Sequence, residues 1–507
     1  MRSAVFILVI LLLSFYYNYH RIISWEPKGA HVWRQTDGAS LALNYYNDGL
    51  DFFKPRIHNQ LKGTGKTVAE FPFFYYIAAV LYNVFEANDM YLRLVHLLAF
   101  YLGLFALFKM TALFIKDGFW QFVIPVLLFT SPLLIYYANN FLPNIPSFAL
   151  ILIAWYFFGK YYQEQTVKWL WLAGLFFLLG GLIKMTALIS FTAIGCLFVL
   201  ERIPFVTLKE GKKLFVHSWQ FISIFVGTFA MIWLWYKFGD LYREVEGNEY
   251  LQPKRLVNFF WNNSDWQNEQ TWKRISTVWF DYLLYPPTFW LIPGILLVLI
   301  RHAGQISYRF FLGITFLCTG GSVLYMMLVF DQFMDHDYYF ANMFIVVVFA
   351  LLSLFMLMES KYPKLYNSLL LKTTVFMFLL MNIIYAREYS MKKYTMYEHE
   401  DLREVFLDPG LKNFLTSIGV TEKHRILSMP DGSPNNTLYF MNRGGWTGFN
   451  LGPYTSERID ELRERGAEFL VISDSIYLKQ DLIQHVLDKP LGQYKTVFVF
   501  DIRTAAQ

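Results

Sequence analysis

The chain has 507 residues, 55% hydrophobic and 20% aromatic, with only 16% charged and a formal net charge of +5. So little charge over such a length excludes an ordinary soluble globule and points to a polytopic membrane protein. The small positive balance reads as lysine and arginine in cytoplasmic loops, and no basic patch suggests a nucleic-acid partner. Cys196 and Cys318 both lie inside apolar runs, which argues against a disulfide framework or a Cys-rich metal site.

Residues 4–17 form the first apolar segment, and Tyr19, His20 and Arg21 follow it in place of a small-x-small cleavage site, so it reads as a retained signal anchor. A first outer loop, 20–70, comes next and opens with the polar run HVWRQTDG at 31–38. Residues 71–85 are apolar and aromatic but make only about four helical turns, which suits an interfacial helix better than a span. Further apolar segments lie at 91–115, 119–138, 146–158, 169–183, 185–200, 215–235, 287–300, 310–330, 340–358 and 367–385. The expectation is therefore a polytopic α-helical protein with about eleven crossings plus an interfacial helix.

Charge sets the expected topology. Lys109 and Lys116, Lys160 and Lys168, Arg202 with Lys209, Lys212 and Lys213, Arg301 and Arg309, and Lys361 and Lys364 mark cytoplasmic loops. The loops at 139–146, Lys184, a large one at 237–286, and 331–339 then face outward, as does the tail. From residue 386 charges become frequent, dividing the chain into a membrane domain, 1–385, and a small extracytoplasmic α/β domain, 386–507. In the latter, 425–429, 469–473 and 496–502 read as strands and 456–464 and 479–487 as helices. Ser433-Pro434 reads as an N-cap followed by proline at the first helical position.

Several polar residues exceed what membrane packing needs. A carboxylate beside a bilayer is costly unless solvated, paired or functional, and Asp37 is such a group. Arg34, three residues earlier, shares a helical face with it, while Asp48 and Asp51 on the same loop compete for its role. Glu70, before Pro72 and the aromatic run, reads either as a helix-capping carboxylate or as a second active-site acid. Lys184 interrupts two apolar runs and either snorkels to headgroups or binds a lipid phosphate. His336, between Asp335 and Asp337 and followed by Tyr338 and Tyr339, offers donors to phosphate or sugar oxygens. A divalent metal at that histidine is left open on weak grounds. Asn144, in the amide-rich loop NNFLPNIP, faces sugar hydroxyls or simply closes a proline turn. Arg443-Gly444-Gly445-Trp446 is a candidate contact patch on the tail, and no GxxxxGK[ST] loop is present for a nucleotide-sugar donor.

The order of these pieces resembles the membrane C-type (GT-C) glycosyltransferases of family 39, which include the protein O-mannosyltransferases and lipid A aminoarabinose transferases. The matching stretches are WRQTDGASLALNYY at 33–46, EFPFFYYIAAVLYNVF at 70–85, YLRLVHLLAFYLGL at 91–104, the run from 130 to 158, GGLIKMTAL at 180–188 and HDYYFANMF at 336–344. The resemblance implies an inverting transfer of a sugar from a polyprenyl phosphate to a protein, glycan or lipid acceptor on the outer face of a bacterial inner (plasma) membrane. It implies Asp37 as the catalytic base, Glu70 as a second catalytic carboxylate, and Arg34 as orienting the base or binding phosphate. Lys184 and His336 would hold the lipid phosphate, with Asp337, Tyr338, Tyr339 and Asn144 also lining the substrate site. A membrane transporter and an oligosaccharide polymerase or ligase are the alternatives.

Overall fold

The computed structural model describes residues 1–503 except 69, 204–205, 210–211, 247–249, 251–257, 306–308, 397–403, 450–453, 480–486 and 488. The expected helix at 479–487 lies almost wholly outside the described residues. The chain divides into two compact units. One contains Met1–Ile23, Arg93–Lys237 and Pro253–Lys393; the other gathers Ser24–Leu92, Phe238–Gln252 and Tyr394–Gln507. The composition change at 386 falls within the helix Leu369–Thr395, so the chain remains helical there.

The first unit is a bundle of apolar helices. Among the described residues six helices are long and apolar enough to cross a membrane, and two sharply bent pairs would bring the number to eight. The about eleven crossings expected are reached only by adding the shorter helices Arg2–Tyr16, Val167–Ile183 and Met185–Leu200. Asn144–Glu164 and the stretch Asp337–Lys361 lie at the centre, 78% and 83% buried over their apolar windows, whereas Leu369–Thr395 is 17% buried. That last helix carries apolar side chains outward, as a lipid-facing helix does. Close approach depends on small residues: a Cβ on Gly103 would sit 2.7 Å from the Cα of Ala149 on the neighbouring helix.

One expected segment, 119–138, is broken. It forms Gly118–Leu128 and Pro132–Ala138, bent by 71°. Ser131 caps the second piece by accepting from the Leu134 N–H at 3.2 Å, and Pro132 stands at its first turn. Hydropathy smooths over such a break because both halves are apolar. The expected large outer loop, 237–286, is also partly helical: Ser218–Glu244 runs into it, and Asp265–Leu283 crosses the helix Pro286–Arg301 at 98°.

The second unit is mixed α/β. Strands β1 (Ile426–Met429), β2 (Gly445–Trp446), β3 (Phe469–Ile472), β4 (Pro490–Tyr494) and β5 (Val497–Asp501) form one sheet in the order β2-β1-β3-β5-β4. The β2, β1 and β3 strands are parallel, and β5 runs antiparallel to both β3 and β4. β1, β3 and β5 fall where the alternation of apolar residues predicts strands, and helix Ser456–Glu464 matches its expected bounds. Leu427, Leu470 and Ile472 of the sheet pack with Ile459 and Leu462 of that helix. The short β2 and the mostly exposed β4 carry no comparable apolar pattern.

Two readings of the tail are corrected. The helix after β1 begins at Asn436, beyond Ser433-Pro434, although the Ser433 hydroxyl still accepts from the Asn436 N–H at 2.9 Å. Arg443 and Trp446 are both 1% exposed and form no surface patch. The Arg443 guanidinium donates to the carbonyls of Val420, Met441 and Asn442, a use of arginine that a sequence cannot distinguish from an exposed contact.

The first loop belongs to this same unit. Its helices Val32–Asp48 and Phe73–Phe85 pack on one another. Phe73–Phe85, at 13 residues, is about 20 Å long and too short to span ~30 Å of hydrocarbon. Backbone bonds join loop and sheet: the Gly445 N–H donates to the His58 carbonyl at 3.0 Å and the Gln60 N–H to the Gly445 carbonyl at 2.7 Å. Gly445 has φ +155°, and a Cβ there would lie 1.8 Å from the Ile426 carbonyl oxygen, so no larger residue fits.

Candidate active site

In the second unit Arg34, Asp37 and Glu70 converge. Arg34 and Asp37 stand three residues apart on the helix Val32–Asp48, so both project from one face. The guanidinium lies 3.8 Å from Asp37 Oδ2 through Nη1 and forms an ion pair with Glu70 Oε1 through Nη2. Tyr75, one turn into the helix Phe73–Phe85, donates its hydroxyl to the same Glu70 oxygen at 2.9 Å. Glu70 therefore binds Arg34 and Tyr75 and gives no side-chain cap to the helix that follows. The capping reading of Glu70 is not seen, and its carboxylate shares the Arg34 guanidinium with Asp37.

Asp37 is fully buried. Tyr250 donates its hydroxyl to Oδ2 at 2.6 Å, while Oδ1 has no hydrogen-bond partner among the described residues. Burial pushes the carboxyl up to about 6, against the opposing pull of Arg34 and the Tyr250 hydroxyl. The backbone around it is braced from the tail: Thr36 donates to Asn436 Oδ1 at 2.7 Å, and Asn435 Nδ2 donates to the Thr36 carbonyl at 3.2 Å. The competing acids differ. Asp48 pairs with Arg56 at 2.8 Å and Asp51 with Lys54 at 2.9 Å, both with side chains more than 40% exposed.

The remaining sequence-predicted residues belong to the first unit, where each is described on its own. His336 and Tyr338 stack with ring centroids 5.2 Å apart, and Tyr339 lies 4.9 Å from Tyr338. Asn144, the first residue of its helix, donates to the Tyr338 carbonyl at 3.5 Å. Lys184 sits in extended backbone between two helices, and Thr186 beside it accepts from Asn342 Nδ2 at 2.8 Å. Asp337 is fully buried, and its carboxylate takes an ion pair from Lys393 and the Tyr137 hydroxyl at 2.6 Å. The Lys393 ammonium is further enclosed by the rings of Tyr136, Tyr137, Trp279 and Tyr282, the nearest centroid at 4.5 Å.

A metal centre does not fit these residues. Among the described residues no three of His, Cys, Asp and Glu converge on one point. Asp337 is committed to Lys393, and the Arg34 guanidinium already lies against both Asp37 and Glu70.

Sequence reasoning missed Tyr250, Tyr75 and Lys393. Tyr75 lies in an aromatic run that reads as interface anchoring, and Tyr250 is one tyrosine among 34. Lys393 sits in the charged stretch after 386, which reads as soluble tail.

No family model and no curated protein sequence matches the chain. Solved structures do. ArnT from Cupriavidus metallidurans bound to undecaprenyl phosphate superposes with a TM-score of 0.58 at 11% identity, over 98% of this chain and 97% of that one. The archaeal oligosaccharyltransferase AglB from Archaeoglobus fulgidus, in complex with an inhibitory peptide and a dolichol-phosphate, gives 0.57 at 12% identity over 94% and 70%. The arabinofuranosyltransferase AftD from Mycobacteria gives 0.55 at 13% identity, covering 99% of this chain and 40% of that much longer one. The chain thus has the fold of the membrane C-type glycosyltransferases, an apolar helical bundle with a small C-terminal sheet.

Proposed function

We propose that the protein is an integral membrane glycosyltransferase that moves a sugar from a polyprenyl phosphate to an acceptor hydroxyl. The observation that carries this reading is Asp37: a buried carboxylate with one oxygen anchored and the other without a partner among the described residues. Most buried side-chain oxygens are hydrogen-bonded, so an open oxygen on a buried carboxylate is a place where an acceptor proton can be received. Raised to about 6, it is still ionised at neutral pH yet basic enough to take a proton in a transition state. The fold supports the same reading, since the ArnT and AglB structures hold undecaprenyl phosphate and dolichol-phosphate respectively.

In this scheme the acceptor O–H gives its proton to Asp37 Oδ1. The acceptor oxygen bonds to the anomeric carbon as the bond from that carbon to the phosphate oxygen breaks, and the phosphate leaves with the electron pair. One displacement without an enzyme nucleophile inverts the anomeric centre. Arg34 lies against both Asp37 and Glu70, and its charge favours the ionised form of Asp37. Tyr75 fixes Glu70 and Tyr250 fixes the orientation of the base. In the same proposal Lys184 and His336 hold the lipid phosphate, and Asp337, Tyr338, Tyr339 and Asn144 line the substrate site. The site faces the extracytoplasmic side of a bacterial inner membrane, where domain 386–507 also lies, as the lysine and arginine distribution requires.

The test is transfer from labelled polyprenyl-phosphate sugars in membranes, with wild type and Asp37→Asn side by side. Loss of transfer in a folded, normally expressed Asp37→Asn is expected. Undiminished transfer would remove Asp37 as the base, and no transfer by folded wild type from any such donor would sink the class.

A further inference from the structure

Tyr250 lies outside any helix or strand, so side-chain anchors rather than a backbone ladder fix where its hydroxyl falls. Those anchors stand on the first loop. Residues 55–67 fold back on themselves: the Thr67 N–H donates to the Pro55 carbonyl at 3.3 Å and the Ile57 N–H to the Gly65 carbonyl at 3.1 Å. The turn between them is tied to the sheet by the bond from the Gln60 N–H to the Gly445 carbonyl. From this hairpin the fully buried Thr67 hydroxyl donates to the Tyr250 carbonyl at 3.1 Å. The Phe449 ring of the tail lies edge-on to the Tyr250 ring, with centroids 5.1 Å apart.

Glu246 clamps the same segment four residues earlier. Its carboxylate accepts from the Thr64 N–H at 2.7 Å and from the Thr64 hydroxyl, and lies 3.5 Å from the Lys66 ammonium. It packs directly on Gly63, where a Cβ would come within 2.6 Å of its carboxyl carbon. Burial raises the Glu246 carboxyl, but the bonds from Thr64 and Lys66 outweigh it and hold the group below the usual carboxylate value, ionised at neutral pH. Arg243, three residues further back, donates to the Val68 carbonyl and pairs with Asp240 at 2.9 Å. Residues 63–68 thus hold the segment 243–250 and lead, two residues later, to Glu70. A hydroxyl donating to a carboxylate at 2.6 Å loses that bond on a displacement of about 1 Å, so the hold on the Tyr250 backbone decides whether the bond to Asp37 forms.

We infer that Thr67 and Glu246 are positioning residues for the base. They touch no reacting group and act by setting the Tyr250 hydroxyl on Asp37 Oδ2, which determines which carboxylate oxygen stays open. Their part in transfer rests on the glycosyltransferase reading above; the placement of Tyr250 does not. Among the described residues the charged groups facing Asp37 are Arg34 and Glu70, and Glu246 is faced by Lys66 and Tyr242.

The experiment replaces Tyr250 by 3-fluorotyrosine in the full-length protein in lipid nanodiscs and follows its fluorine NMR signal between pH 4.5 and 7.5. In wild type the signal steps near pH 6 as Asp37 gains its proton, and Asp37→Asn abolishes the step. Thr67→Val, which keeps the shape without the hydroxyl, and Glu246→Ala each shrink the step at least threefold. Thr67→Ser and Glu246→Gln, which keep the bonding oxygens, retain it. Transfer follows the same order: the acid limb rises by less than one pH unit in Thr67→Val and in Glu246→Ala, and neither adds to the shift of Tyr250→Phe. A step of wild-type size in either folded variant, even one with a lower melting temperature, overturns the inference, as does the absence of a step in wild type. A limb shift that adds to that of Tyr250→Phe overturns it too. Where one variant fails to fold, the other decides. A step that shrinks as expected in a protein that moves no sugar from any polyprenyl phosphate would sustain the positioning role and count against the glycosyltransferase reading instead.

Discussion

Asp37 and Asp337 are both aspartates with fully buried side chains, yet they are built in opposite ways. Asp337 has a cation on one oxygen and a phenol on the other, and four aromatic rings wrap the cation. Asp37 shares its nearest cation with Glu70, anchors one oxygen on Tyr250 and leaves the other without a partner among the described residues. The first arrangement ties the segment carrying His336, Tyr338 and Tyr339 to the end of helix Leu369–Thr395. The second carries an unmet electrostatic cost, which proteins keep where chemistry needs it.

The contrast is broken most directly at Asp37. Asp37→Asn should lower transfer by roughly 10²–10⁴-fold, the usual span for a lost general base. The same variant should unfold at higher temperature at pH 7.5. A carboxyl whose folded pKa of about 6 exceeds its unfolded value is destabilising once pH rises above both, by up to about 3 kcal/mol here. Thermal unfolding of the purified protein at pH 5 and pH 7.5 checks this, and a lower melting point for the variant at pH 7.5 would place Asp37 with Asp337.

Lys393→Met should do the reverse. It strands Asp337 as a buried charge, costing about 3–5 kcal/mol, and should appear as lost folded yield in detergent size-exclusion profiles. The double variant Lys393→Met with Asp337→Leu should regain much of that loss, since an apolar pair needs no charge compensation. Failure of this rescue would mean that Asp337 does more than hold the fold.

A smaller effect is expected at Arg34. Arg34→Gln removes the cation that favours the ionised form of Asp37, so protonation of Asp37 moves to higher pH and transfer at pH 7 falls about 10–100-fold, with partial recovery at pH 8.5. Tyr250→Phe is the mildest. Without its hydrogen bond the Asp37 carboxylate is less favoured, so the acid limb of the transfer profile, centred near pH 6 in wild type, should shift upward by less than one pH unit. An unshifted limb would separate Tyr250 from the base.

Much of this was readable from the chain. Apolar runs located nearly every membrane helix, and the three-residue spacing of Arg34 and Asp37 put them on one face because that face is a property of local geometry. Glu70 entered by its place before an aromatic helix. What escaped depends on partners distant in sequence. Tyr250 meets Asp37 across 213 residues and Lys393 meets Asp337 across 56, and neither carries a local pattern. Arg443 looked like surface because charge suggests exposure, whereas here it satisfies buried carbonyls. The break at Ser131-Pro132 was different: its cap and proline stand in the sequence, but hydropathy averages across them.

The pairing of the first loop with β2 has a consequence for how the protein is made. The Trp446 indole donates to the Leu61 carbonyl across 385 residues, so one half of this joint is synthesised long before the other. At the usual pace of translation the wait is roughly 20 to 80 s. Throughout it Asp37 lacks the brace that Asn435 and Asn436 provide to Thr36 beside it, so a nascent chain carries this carboxylate on a helix without its partners from the tail. On the function proposed above, a fragment that stops short of Asn435 lacks this brace and is expected to transfer poorly, which a truncation series across that position would measure.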